Sequence, residues 1–244
     1  MGFVYVIEHM EDDDETTRII PPWATLEYAH MRTLAGPNSQ VHFTHVSKLS
    51  ADALSSSFTD DNDTLATASC FQSGVTDRIK DILPIEKVCL LDPKAEKELS
   101  PEDGDGRFEW FLFGGILGDD PPRDRTAELR VLGFPARQLG PIQMTTDTAL
   151  GVTKLVVEDK IPVDKIPYII LQRQVTGQSH VHFTTSGCFK PHNNNPLQDY
   201  PTITFNAKES VEMPFRYIAE GSEPKLPPGM RQLLHEDLNK SFDF

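Results

Sequence analysis

Cysteine is scarce. Cys70, Cys89 and Cys188 are the only three in 244 residues. An odd number of widely spaced cysteines excludes a disulfide framework and a paired zinc knuckle, and fits a reducing compartment. Basic residues are few as well: 23 Lys and Arg stand against 37 Asp and Glu, a formal charge of −14. A surface of that sign repels nucleic acid unless a basic face is set into it. It suits a basic partner, although solubility alone accounts for the acidity equally well. No apolar run is long enough to span a bilayer. The opening "MGFVYVIEHM" lacks the basic start and long apolar core of a signal peptide. Met-Gly begins a myristoylation pattern, but Val6 stands where Ser or Thr is needed. A cytosolic protein is expected.

Strand and helix signals alternate along what is present. "FVYVIEH" from Phe3 reads as a buried strand, followed by the acidic turn "EDDDE". Pro21 and Pro22 open a helix that Gly36 ends. "VHFTHV" from Val41 is strand-like, and the polar stretch Ser50 to Thr64 reads as loop. "VTDRIKDIL" from Val75 is a short helix, and "KVCLLDP" from Lys87 a strand stopped by Asp-Pro. "FEWFLF", Phe108 to Phe113, is nearly continuous apolar sequence, as in a parallel strand buried on both faces. Asp120 can cap a helix reaching about Leu132. "FPARQLG" is a short strand, and Thr145 to Asp159 an amphipathic helix. Leu171 to Gln198 turns polar and is expected to be a mobile insertion. "PTITFN" and "VEMPFRYI" resume as strands before a last helix, "PPGMRQLLHEDLNK". The pattern is that of one α/β domain over residues 1–244, with a mostly parallel sheet.

The segment "FLFGGILGDDPPRDRTAELR", Phe111 to Arg130, joins a strand to a helix through a glycine loop. Such loops often hold phosphates, but this one lacks the dinucleotide fingerprint and the P-loop lysine. Asp119 and Asp120 would repel a phosphate. A ligand with a ribose, an adenine and a positive charge, such as S-adenosylmethionine, would not be repelled; a plain strand–helix turn is the competing explanation. "LGPIQMTTDTAL" is a second strand-to-helix loop and "CLLDP" a third strand end. Parallel strands bring all three to one carboxyl edge, where α/β ligands bind. His180, His182, Cys188 and His192 are zinc-ligand types, but their spacing matches no familiar site, and no metal is expected.

Together "VIEHME", "VCLLDP", "FGGILGD-PPRDRT", "QMTTDTA" and "EMPFRY" resemble the fungal and archaeal SPOUT-like family whose yeast member is a protein arginine methyltransferase. The match runs in order from Phe3 through "PPGM" near the C-terminus. The resemblance implies a trefoil-knotted α/β fold, S-adenosylmethionine as cofactor, and as substrate an arginine of ribosomal protein number three of the small subunit. That basic partner fits the charge of −14. Carried onto this sequence, the cofactor loops are Leu91 and Asp92; Phe113, Gly114, Gly115, Ile116, Leu117 and Gly118; and Leu139, Gln143, Met144, Thr145 and Thr146. The insertion and the Ser/Asp-rich stretch at 50–63 depart from the family pattern without interrupting these loops. The added C-terminal strands and helix favour a monomer.

Arginine stays protonated in water, so a methyltransferase must orient the guanidinium and accept a proton. Carboxylates do both. The candidates are Glu8 at a strand end, Asp119 beside the glycine loop and Asp124 one helical turn on, with Glu27, Glu212 and Asp147 next in line. Each has a structural alternative: solvation for Glu8, backbone bonding for Asp119, pairing with Arg123 or Arg125 for Asp124. Two other functions remain open, an RNA methyltransferase of the same superfold and a non-catalytic ribosome-assembly binder.

Overall fold

The computed structural model describes residues 2–10, 12–58, 63–115, 124, 126–172, 180–182, 201–206, 209–213 and 215–241, with backbone alone at 170–172, 180–182 and 239–241. Its centre is a six-stranded, all-parallel sheet in the order β3-β2-β1-β5-β4-β6. The strands are β1 (Val4–His9), β2 (Gln40–Thr44), β3 (Thr67–Cys70), β4 (Val88–Leu91), β5 (Trp110–Gly115) and β6 (Ala136–Arg137). The chain steps outward from β1 to β3, returns to β4 on the far side, and inserts β5 between β4 and β1.

Helices cover both faces. Tyr5, Ile7, Phe111 and Phe113 point into one core with α1 (Pro22–Ala35) and α5 (Thr146–Val157). Val6, Trp110 and Leu112 alternate into the other, against α3 (Val75–Ile79) and α4 (Thr126–Arg130). Both sets come from the same continuous apolar runs, because neighbouring strand residues point to opposite faces. Pro22 begins α1, where its missing N–H costs nothing, and Gly36 at φ 73° ends it. The Tyr5 hydroxyl donates to Glu158 Oε1 (2.6 Å) and ties the end of α5 to β1. Asp103 takes a bidentate pair from Arg137 (Nε and Nη2, both 2.9 Å) and so braces β6 from beneath.

The sheet and its flanking helices match the expected class. One local expectation does not hold. Residues 50–64 were expected as loop, yet α2 spans Lys48–Ser57. Ser47 caps it by accepting from Ser50 N (3.1 Å) and Leu54 is buried, so two contacts outweigh a weak helical composition. β3, "TASC", carries no apolar alternation and is held as an edge strand by pairing with β2. The helix expected from Asp120 is seen only over Thr126–Arg130, residues 116–123 and 125 lying outside the described residues. Within the expected insertion, β7 (Ile170–Gln172) and β8 (His180–His182) pair antiparallel; residues 173–179 and 183–200, with Cys188 and His192, lie outside the described residues.

Farther on, β9 (Thr202–Thr204) pairs with β10 (Ser210–Glu212) and β11 (Ala219–Glu220) with β12 (Glu223–Pro224). The expected strand through "VEMPFRYI" is therefore only partly a strand. Its second half makes single bridges instead, Arg216 to Met144 and Ile218 to Tyr168. These stitch the C-terminal segment to the loop before α5 and to the chain that follows it. The last helix, α6, spans Met230–Ser241. No helix among the described residues is long and apolar enough to cross a membrane.

Where α1 packs on α5, two acids are buried together: Glu27 at 6% exposure and Asp147 at 1%. Asp147 Oδ2 lies 2.8 Å from His30 Nδ1. Burial, followed by the charge of Asp147, pushes the Glu27 carboxyl well above the usual glutamate value. The sign of the consequence is fixed. Below the unfolded value both states hold the proton. As pH rises past it, the unfolded chain ionises while the folded Glu27 does not, so stability falls with rising pH. Glu27→Gln keeps the shape and removes the titration. Urea unfolding at pH 5, 6.5 and 8 should show a flatter pH slope for the variant and a higher midpoint at pH 8. An unchanged slope would show that Glu27 is not held protonated.

Candidate functional site

Parallel strands end on one edge, and the carboxyl ends of β4, β5 and β6 leave a cavity of about 220 Å³ between them and the start of α5. Leu91 and Asp92 line it from β4, Phe113 and Gly114 from β5, and Leu139 from the chain leaving β6. Gln143, Met144 and Thr146 close it from the second loop. These eight are among the residues assigned to the cofactor from sequence. Gly115 and Thr145 fall just off the wall. Gly115 sits where a Cβ would meet the Glu8 carbonyl oxygen at 2.8 Å, and Thr145 Oγ1 donates to Thr148 Oγ1 (2.9 Å) inside the first turn of α5. Ile116, Leu117, Gly118 and the candidate acid Asp119 lie outside the described residues.

The reading from sequence passed over Pro93, Thr126 and Ala149, which also line the cavity. Ala149 was legible in principle. It lies three residues after Thr146, one turn along the same helix face. Thr126 reaches the cavity only because α4 folds back over β4, which no local pattern signals.

That fold-back is held by a charge cluster. Arg130 of α4 donates from Nε and Nη2 to the two Asp92 oxygens (2.5 and 2.7 Å). Lys94 N also donates to Asp92 Oδ1 (2.9 Å). Asp124 accepts from Lys94 Nζ (2.5 Å) and from Arg130 Nη1 and Nη2 (3.3 and 3.2 Å). Burial raises the Asp92 carboxyl, but the Arg130 hydrogen bonds outweigh it and hold the group below the usual carboxylate value. The Arg130 and Lys94 hydrogen bonds lower Asp124 in the same way. Both acids are thus engaged in fixing the cavity wall. For Asp124 the arginine is Arg130, six residues on; the partners expected from sequence, Arg123 and Arg125, lie outside the described residues.

Glu8 is placed differently. It is buried at the carboxyl end of β1, in register with Gly114 of the cavity wall. Its Oε2 accepts from Thr44 Oγ1 (2.5 Å) and from Val75 N at the start of α3 (2.9 Å). Its Oε1 faces Gly74, where a Cβ would come within 2.9 Å, and the exposed ring of His45, whose Nδ1 is 3.5 Å away. One carboxylate oxygen therefore holds structure while the other faces Gly74 and the His45 ring. His9, the next residue, meets the Tyr28 hydroxyl at 2.7 Å on the opposite face of the sheet.

The cavity discriminates by charge. Among its described lining residues the single charged side chain is Asp92, and none is cationic. A nucleotide phosphate would have no counter-charge there. The apolar walls of Leu91, Phe113, Leu139 and Ala149 suit an adenine ring, and the exposed backbone of the 139–143 loop offers polar groups to its edges. S-adenosylmethionine fits this donor set. Gly140 at φ 97° lets that loop turn. Among the described residues no group of three His, Cys, Asp or Glu could hold a metal.

Comparison with known proteins agrees with this geometry. The family model "Protein arginine N-methyltransferase SFM1-like" matches residues 4–181 and 172–241. Protein arginine N-methyltransferase SFM1 of Saccharomyces cerevisiae is 34% identical over 251 residues, covering 98% of this chain and 97% of that protein. The crystal structure of the yeast arginine methyltransferase SFM1 complexed with SAH superposes with a TM-score of 0.69 at 31% identity, over 94% of this chain and 93% of that one. The same enzyme complexed with SAM gives 0.68 at 31% identity, over 97% and 92%. With residues 4–241 matched by the model and nearly all of the chain by the relative, this protein belongs to the SFM1-like protein arginine N-methyltransferase family.

Proposed function

We propose that this protein is an S-adenosylmethionine-dependent protein arginine methyltransferase whose substrate is an arginine of a basic ribosomal protein, number three of the small subunit, in the cytoplasm. The observation that carries the reading is the cavity itself. It is a nucleoside-sized cleft with an acid, no cation and apolar walls, in a chain aligned end to end with an enzyme solved with SAM and SAH. The charge of −14 supports a basic protein partner over RNA.

When bound, S-adenosylmethionine supplies an electrophilic methyl group on a sulfonium. The chain's own residues do the rest. Leu91, Leu139, Met144 and Ala149 hold the adenosine end out of water. Arg130 keeps the Asp92 carboxylate turned into the wall, so it does not swing into the cleft. Glu8, one strand over from Gly114, orients the guanidinium through Oε1 and accepts the proton that methylation releases. A second acid from the 116–123 stretch, Asp119, completes the fork-shaped recognition of the guanidinium. Asp124 has a wall-fixing role.

Glu8→Gln preserves shape and removes the base. Calorimetry with S-adenosylhomocysteine should give near wild-type affinity. Transfer of labelled methyl to the ribosomal protein should fall by at least ~10², the lower end of what a positioned acid–base group contributes. Raising salt should raise KM for the protein substrate with little effect on kcat, because the acidic face acts on encounter. Label entering RNA in place of protein would overturn the substrate assignment. Wild-type transfer by Glu8→Gln would remove Glu8 from the mechanism.

A further inference from the structure

His45 is the residue in this region with no structural task for its side chain. It follows β2 with φ 59°, in the left-handed region that a histidine adopts only at a cost. Its backbone is fastened there: His45 N donates to the Ser73 carbonyl (3.1 Å) and Val46 N to the Phe71 carbonyl (3.2 Å). The result is an imidazole that is 67% exposed yet aimed at a buried carboxylate, Glu8 Oε1, at 3.5 Å. A neighbouring side chain would crowd that oxygen, and Gly74 leaves the space clear. From α3, exposed Asp77 and Arg78, which stacks on Phe71 at 3.8 Å, are charged groups near this corner. Neither has a described contact with the imidazole. The Thr44 hydroxyl is directed to Glu8 Oε2 (2.5 Å) and the Ile7 carbonyl (3.2 Å).

We propose that His45 is a positioning residue that acts through Glu8, taking the proton of the methylated arginine from Glu8 and delivering it to water. The inference rests on the reading of Glu8 as the acceptor above. The balance is simple. A guanidinium cation that gains a methyl group remains a monocation only by losing one N–H proton. That proton first forms an O–H bond at Glu8 Oε1. The O–H bond then breaks as an N–H bond forms at His45 Nδ1, restoring the carboxylate. The imidazolium, two-thirds exposed, releases its proton to solvent and returns to the neutral ring. No oxidant or further reactant is needed. The left-handed backbone is what places the ring: from an extended residue at 45 the side chain would project to another side of the strand. The same geometry holds the ring at hand without sealing Glu8, because 3.5 Å is longer than a full hydrogen bond.

The test uses the full-length protein, a peptide bearing the substrate arginine, and His45→Gly. Glycine is at ease with φ 59°, so the fold should be kept or stabilised. The expected kcat is about tenfold lower, less than the ~10² or more for a lost primary base, since Glu8 can still pass its proton slowly to water. KM for the peptide and affinity for S-adenosylhomocysteine should not move. Added imidazole should restore most of kcat, and buffer concentration should change the rate in the variant but not in wild type. His45→Asn, which also tolerates this backbone, should be slow without buffer in the same way. Wild-type kcat in both variants, with Glu8→Gln inactive, would overturn the relay and leave the Glu8 reading standing. A loss of kcat that imidazole does not restore would make His45 structural and equally overturn it. Full activity in Glu8→Gln would remove the relay together with the acceptor on which it rests.

Discussion

Strand β5 is paired along both edges, with β1 on one side and β4 on the other, all three parallel. That single arrangement sets the geometry of everything functional. A strand buried on both faces must be apolar, so Trp110 to Phe113 carry no chemistry themselves. What they do is deliver Gly114 to the carboxyl edge between two other strand ends. On the β4 side the edge opens into the cavity. On the β1 side the register places Glu8 beside Gly114. Cofactor cleft and acid are neighbours because β5 stands between the strands that bear them, and no loop has to be long to bring them together.

The polar groups at this edge divide the work between holding and leaving free. Asp92 and Asp124 engage their oxygens with Arg130 and Lys94, which pins α4 over the cavity and ties up Asp92, the one charged side chain of the described wall. Glu8 is half spent, with Oε2 on Thr44 and the α3 backbone and Oε1 toward His45. An acid held by one oxygen keeps its orientation while the other stays available for a second contact. The acids deeper in the molecule, Glu27 and Asp147, sit between two helices. Glu27 ties stability to pH, and both stay clear of the described cleft wall.

The site was legible from sequence where local pattern and strand parity coincide. "FEWFLF" and "VCLLDP" announce buried parallel strands, and the glycine and threonine loops after them had to meet at one edge. The absence of a lysine and the presence of acids pointed to a ligand without phosphate, and the described cleft wall carries no cation. What the chain hid is what depends on distant partners. Asp92 meets Arg130 across 38 residues, and no spacing rule foretells which of Asp119, Asp120 or Asp124 the arginine takes. α2 hid because its stability comes from one serine cap and one buried leucine, in a stretch whose composition resembles a loop. His45 hid because a backbone in the left-handed region leaves no mark in the residue type when that residue is histidine.

The central claim is that the cleft between the ends of β4, β5 and β6 holds the cofactor. A crystal structure of this protein grown with S-adenosylhomocysteine tests it most directly. The account predicts density for the adenine between Leu91, Leu139 and Ala149, hydrogen-bonded to backbone of the 139–143 loop, with the sulfur turned toward Gly114 and the Glu8 strand end. Density for the nucleoside elsewhere, with this cleft empty, would contradict it.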